Sequence, residues 1–99
     1  MSIVTKNGVK FSFIAENGLE TIAPSDSEVY VHVTDSGNGT HLINGRVQKK
    51  NENGVQELGW VRTGESLPSN TTDLLIAAEA IVISKLVELN PKVIFESTL

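Results

Sequence analysis

Residues 68–89 read PSNTTDLLIAAEAIVISKLVEL, the one segment long and apolar enough to make a substantial helix. At about 100° per residue, Asp73, Ser84 and Glu88 gather on one narrow side with Ala77 and Ala80. A helix on the surface of a globular domain needs an apolar stripe a little over 100° wide. This one is apolar around more than half its circumference, so it calls for cover on more than one flank. Glu79 interrupts the apolar side between Leu75, Val82 and Leu86. Ser69 or Asn70 is placed to cap the helix, and Asn70 with Asp73 three positions on makes an Asn-x-x-Asp variant of the capping box. Asn90-Pro91 stops it, because a proline ring cannot continue the helical ladder.

Ninety-nine residues suit one domain with one modest core, since a chain of this size buries roughly 60 to 70% of its unfolded surface. The formal charge is −4, and only Lys49 and Lys50 are adjacent among the basic residues. That argues against general affinity for nucleic-acid backbones or anionic membranes, which call for clustered Lys and Arg. The absence of cysteine removes disulfide frameworks, thiol catalysis and cysteine-type zinc sites. The opening MSIVTKNGVK carries no long apolar run, so no signal peptide is expected. The apolar run 74–89 contains Glu79, Lys85 and Glu88 and falls short of the roughly 20 residues that span a bilayer. These features predict a soluble, cytoplasmic protein with no membrane partner.

Five Asn-Gly pairs, at 7–8, 17–18, 38–39, 44–45 and 53–54, punctuate the first half. Asn-Gly between apolar runs signals a hairpin because both residues accept positive φ. Residues 3–5 and 9–15 are expected to pair about Lys6-Asn7-Gly8, and a second hairpin about Asn17-Gly18 returns through 19–22. In residues 28–34, Val29, Val31 and Val33 alternate with Tyr30 and His32, which predicts a strand with its valines towards the helix. Residues 41–50 and 55–63 form a hairpin about 51–54, with a bulge at Asn44-Gly45. After the helix, 92–96 is one more strand returning beside 28–34; the crossover makes it parallel to its neighbour. The expected class is α+β, antiparallel hairpins and a meander packed on one long helix, followed by a short final strand. A single domain, residues 1–99, is expected, with an N-terminal hairpin layer at 1–27 and a βββαβ core at 28–99.

Phosphate-binding loops, HExxH and GxSxG do not occur. His32 and His41 lack metal-ligand spacing, and Ser36, Ser66 and Ser69 lie in turns with no base beside them. One constellation carries chemistry: Asp35 at the end of the first core strand, Asp73 in the first turn of the helix and Glu96 on the last strand. Carboxylates at strand ends and a helix start can converge on one edge, and such hard oxygen ligands hold Mg²⁺ or Mn²⁺ for phosphoryl transfer. VHVTDSGNG at 31–39, SNTTDLLIAAEAI at 69–81 and KVIFESTL at 92–99 resemble the first half of the ribonuclease H-like fold. In that family an Asp ends the first strand before a Gly/Asn-rich turn, an Asn and an acidic residue open the first helix, and an acidic residue followed by Ser ends the fourth strand. The resemblance covers residues 28–99. It implies that Asp35, Asp73 and Glu96 are catalytic metal ligands and that Asn70 touches a nucleic-acid backbone. The family usually has Glu at the position of Asp73 and Asp at that of Glu96, and its later helices, His-containing loop and fourth acidic residue have no counterpart in 28–99.

Each carboxylate also has a plain structural use: Asp35 in an Asx turn, Asp73 as a cap at the positive end of the helix and Glu96 in solvent. Glu79, on the apolar side of the helix, needs a partner or a wet interface; Arg46, Arg62 or another subunit is expected to supply it. Trp60 reads as core or, beside Arg62, as an anchor for a partner. The leading expectation is a small non-enzymatic accessory or assembly protein, of the kind found in phage-sized genomes, without a cofactor. It binds another protein and forms a homo-oligomer through an apolar helix that one sheet face cannot cover. Leu75, Glu79, Val82, Leu86 and Trp60 are the interface residues expected. The alternative is a reduced ribonuclease H-like enzyme using Mg²⁺ or Mn²⁺ on nucleic acid.

Overall fold

The structure, a computed structural model, describes residues 1–98. Strands β4 (Glu28–Asp35), β5 (Thr40–Asn51) and β6 (Gly54–Pro68), numbered in chain order, form the expected antiparallel meander. Asn51 pairs with Gly54, so a two-residue turn closes the long hairpin. The register shifts at Ile43/Asn44, where a bulge was expected, and again at Val47/Gln48. The extra residues lie in the partner strand: Thr63 and Gly64 at the first shift, Leu58 at the second. Gly45 stays in the ladder because the core leaves it no room for a side chain. A Cβ there would stand 2.6 Å from Val29 Cγ1 and 2.9 Å from Val82 Cγ1, well inside the contact distance of carbon atoms.

Helix α1 (Leu74–Leu89) lies on the valine face of this sheet. Its buried residues, Ala78, Val82 and Leu86, are one turn apart and join Val29, Val31, Ile43, Val47 and Val61 in one core. Burial of a side chain such as Leu86 contributes about 1.5–3 kcal/mol. The class is α+β, as the patterning predicts.

The N-terminal pairing differs from the expected hairpin at 1–27. β1 (Ser2–Thr5) enters the main sheet, antiparallel to β4 on one side and to the final strand, β7 (Phe95–Ser97), on the other. The order is β6-β5-β4-β1-β7. Lys6–Gly8 is a 3-10 turn in which Asn7 (φ 63°) and Gly8 (φ 65°) both take the left-handed region. That turn carries the chain off the sheet instead of back along β1, and Ile3, wholly buried opposite Val29, holds β1 inside it. β2 (Phe11–Ile14) and β3 (Glu20–Ala23) make the hairpin about Asn17-Gly18 as a separate two-stranded sheet. Phe13 packs onto Gly59, where a Cβ would come within 2.7 Å of its ring, and Phe11 meets Phe95 edge-on at 5.7 Å. The hairpin therefore shares the covered face with α1.

β7 is also corrected. It starts at Phe95, lies antiparallel to β1, and is separated from β4 by that strand. Every neighbouring pair in the sheet is antiparallel, and the connection through α1 runs from one edge to the other. β1 occupies the slot that a parallel last strand would need.

The start of the helix differs too. β6 remains a strand to Pro68, and residues 69–73 turn: Thr71 donates from its amide (3.0 Å) and its hydroxyl (2.6 Å) to the Pro68 carbonyl. Asp73 stands at the N-cap position with a left-handed backbone (φ 51°, ψ 53°) and no side-chain capping bond, so the Asn70–Asp73 box does not form. The far end behaves as expected and adds a clamp. Buried Asn90 donates from Nδ2 to the carbonyls of Leu86 (2.7 Å) and Ser12 (2.9 Å), and its Oδ1 accepts the Ser12 amide (2.8 Å). No helix among the described residues is long and apolar enough to cross a membrane.

Candidate interaction surfaces

The sheet register fixes the three candidate metal ligands. Glu96 pairs with Val4, and Val4 with Glu28, so Glu96 is level with the first residue of β4 while Asp35 is its last. At about 3.3 Å per residue, that offset is roughly 23 Å along the strands. Asp73 opens α1 beyond the end of β6, and Asn70 is exposed in the preceding turn. Asp35 makes the Asx-type bond expected of a turn residue, accepting the Gly37 amide at 2.8 Å. Among the described residues no three His, Asp or Glu side chains gather as a metal-binding group.

The face of the sheet away from α1 carries a cluster that the alternation of β4 places only in part. Tyr30, Arg46 and Trp60 form one cross-strand row, next to a row of His32, Asn44 and Arg62. The Arg46 guanidinium lies 5.3 Å from the centre of the Tyr30 ring. His32 and Trp60 meet at right angles with their centres 5.2 Å apart. Arg46 Nε donates to Gln48 Oε1 (3.0 Å), and Gln48 Nε2 donates to Glu28 Oε1 (2.6 Å). Trp60 is thus on the sheet's open face and not in the hydrophobic core, with rings and guanidinium held in place by their neighbours.

Of the other expected interface residues, Val82 and Leu86 are buried against the sheet and contribute nothing to the outer face of the helix. Leu75 is 51% exposed, and beside it Ile76 is 59% exposed. Val87 and Leu89 are exposed as well, so the helix does carry apolar surface that the sheet does not cover. Glu79 Oε2 is buried without a hydrogen-bond partner among the described residues. Neither arginine serves it: Arg62 pairs with Glu16 at 2.8 Å, and Arg46 lies over Tyr30 on the opposite face.

A cavity of about 510 Å³ opens where β6, the end of α1 and the β2–β3 turn meet. Phe13, Val61 and Leu86 form its apolar floor, and the Arg62–Glu16 and Lys85–Glu88 pairs stand at its rim. Its volume is that of a site for a small ligand or a side chain. No sequence motif marked it, because its walls come from three separate elements. Comparison of the chain with family models, with curated proteins and with solved structures finds no match.

Proposed function

We propose that the chain is a small non-enzymatic accessory protein that binds other protein surface and assembles with copies of itself through the outer face of α1. The uncovered helix carries this reading. Ile76, Ala80, Ile83 and Val87 recur at alternating steps of four and three residues, the spacing of a two-helix seam. Ile76 is 59% and Val87 39% exposed. Two such helices running antiparallel about a two-fold axis set Ala80 against the second copy's Ile83 and Ile76 against its Val87. Small faces large, so the surface is complementary to itself. Glu79 borders the seam, and a donor from the second copy would satisfy its orphan oxygen. The absence of cysteine fits a reducing compartment such as the cytoplasm.

The metal-enzyme reading draws less support, because the register holds Asp35 and Glu96 too far apart to share an ion. Light scattering tests the proposal: the wild-type chain is expected at the mass of two or more copies across micromolar concentrations. Ile76→Glu is expected to bring it to one copy with an unchanged circular dichroism spectrum, since that side chain lies outside the core. A wild-type chain that stays at the mass of one copy overturns the assembly.

A further inference from the structure

We propose that the free edge of β6 and the groove beside it form a second binding site, whose ligand is an extended basic segment of a partner protein. The segment adds to β6 as a strand, with one apolar side chain anchored in the cavity. Among the described residues β6 has a single strand neighbour, β5. Residues 59–62 pair regularly with β5 between the bulges at Leu58 and Thr63-Gly64. Their outward backbone groups meet no other backbone partner among the described residues. Such an edge presents N–H and C=O groups at alternate residues, the template that extended peptides use.

The edge is lined as well as open. Cavities adjoin it at 57–60, at 60–62 and at Glu65; the first two share Ala15 and Glu16, and the last two share Lys85 and Glu88. They make one groove, walled by the β2–β3 turn and by α1. A strand added beside 59–62 sends alternate side chains to opposite faces, so one set points to the apolar floor at Phe13, Val61 and Leu86.

Charge selects the ligand. The groove carries Glu16, Glu57, Glu65 and Glu88 against Arg62 and Lys85. Glu16 holds Arg62 at 2.8 Å and Glu88 lies 3.8 Å from Lys85, which leaves Glu57 and Glu65 without a cationic partner among the described residues. The negative surplus favours a basic segment. It disfavours a second copy's β6, which brings Glu57 and Glu65 of its own. The two bulges confine addition to a short stretch, which prevents open-ended stacking of strands. The Arg62–Glu16 pair is largely exposed and of little energetic consequence, so it can open as the ligand enters.

The groove meets the α1 seam only at Ala80, and Ile76→Glu removes the seam without touching the groove lining, so either proposal can fail alone. The probe is acetyl-Lys-Val-Lys-Leu-Lys-Val-Lys-amide, titrated into the isotope-labelled full chain. Amide shifts are followed by NMR, and emission is followed from Trp60, the sole tryptophan. Saturable shifts at the amides of 59–62 are expected, with the peptide carrying Glu in place of Lys binding at least about tenfold more weakly. N-methylation of alternate peptide amides is expected to abolish binding in one phase and spare it in the other. The exposed double variant Glu57→Lys, Glu65→Lys is expected to reverse the preference between the two peptides. Absence of saturable shifts up to millimolar peptide, equal tolerance of methylation in both phases, or equal affinity for both peptides overturns the proposal. Shifts of the same amides on raising protein concentration alone assign the edge to a second copy and overturn it too.

Discussion

One amide side chain joins the end of α1 to the β2–β3 hairpin. Asn90 is 7% exposed and exchanges hydrogen bonds with both backbone groups of Ser12 while holding the Leu86 carbonyl. Removing it leaves the Ser12 N–H and carbonyl to find other partners, while the Leu86 carbonyl keeps the Asn90 backbone amide at 3.0 Å; the loss costs about 2–3 kcal/mol. Asn90→Ala is therefore expected to lower the urea midpoint by that amount and to speed hydrogen exchange at the Ser12 amide; a loss below about 1 kcal/mol would refute the clamp. In the sequence Asn90-Pro91 was legible as a stop, because that signal is local. The bond to Ser12 spans 78 positions and has no local signature. Asp35 shows the opposite case: its bond to the Gly37 amide lies within the turn that the sequence marks, so its structural role was readable from its neighbours. Trp60 falls between the two. The alternation assigns Tyr30 and His32 to the polar face, but only the register of three strands brings Trp60 and Arg46 to them.

At the scale of elements, the apolar period of α1 was legible and its first turn was not. Ser69, Asn70, Thr71, Thr72 and Asp73 all bond readily to nearby backbone, and the same chemistry serves a helix cap or a run of turns. The turns win because β6 continues to Pro68 and Thr71 bonds back to the Pro68 carbonyl. Asp73 then takes a left-handed backbone with no capping bond, a conformation that glycine adopts without steric penalty. Asp73→Gly is accordingly expected to leave stability unchanged or to raise it by up to about 1 kcal/mol, the relief of the left-handed backbone offsetting the entropy of glycine. Chemical denaturation decides the point: a loss of about 1 kcal/mol or more would mean that the carboxylate caps the helix after all. The bulge shows a similar division. Asn44-Gly45 correctly marks where the ladder is irregular, yet the extra residues are in β6, because the shared core of Val29 and Val82 fixes Gly45 in place.

At the scale of the molecule, one edge of the sheet is built by a pairing between the two ends of the chain. Ile3 pairs with Ser97, and the Thr98 amide donates to the Ser2 carbonyl at 3.0 Å. The period-2 pattern of a strand states which side is buried but not which strand lies beside it, so local signals point β1 to a hairpin with its sequence neighbour and the last strand to the slot beside β4, whereas the fold pairs the two with each other. The same limit applies to the carboxylates, since only the order β4-β1-β7 and its register separate Glu96 from Asp35. Adjacent ends allow the pairing to be tested without changing a core residue. A circular permutant with its ends joined by a short Gly/Ser linker, opened between Glu52 and Asn53, cuts the chain at an exposed tip, where breaks are best tolerated. It makes the β1–β7 contact local and the β5–β6 contact non-local. Native amide shifts are expected for β1, β4 and β7, because no contact in the sheet is lost. Folding is expected to be slower in stopped-flow traces, because closing the long β5–β6 ladder now carries the larger loop entropy. A permutant that fails to recover the native shifts of β1 and β7 would count against the pairing of the ends, and one that folds faster than the parent would show that β1–β7, and not the long hairpin, limits the rate.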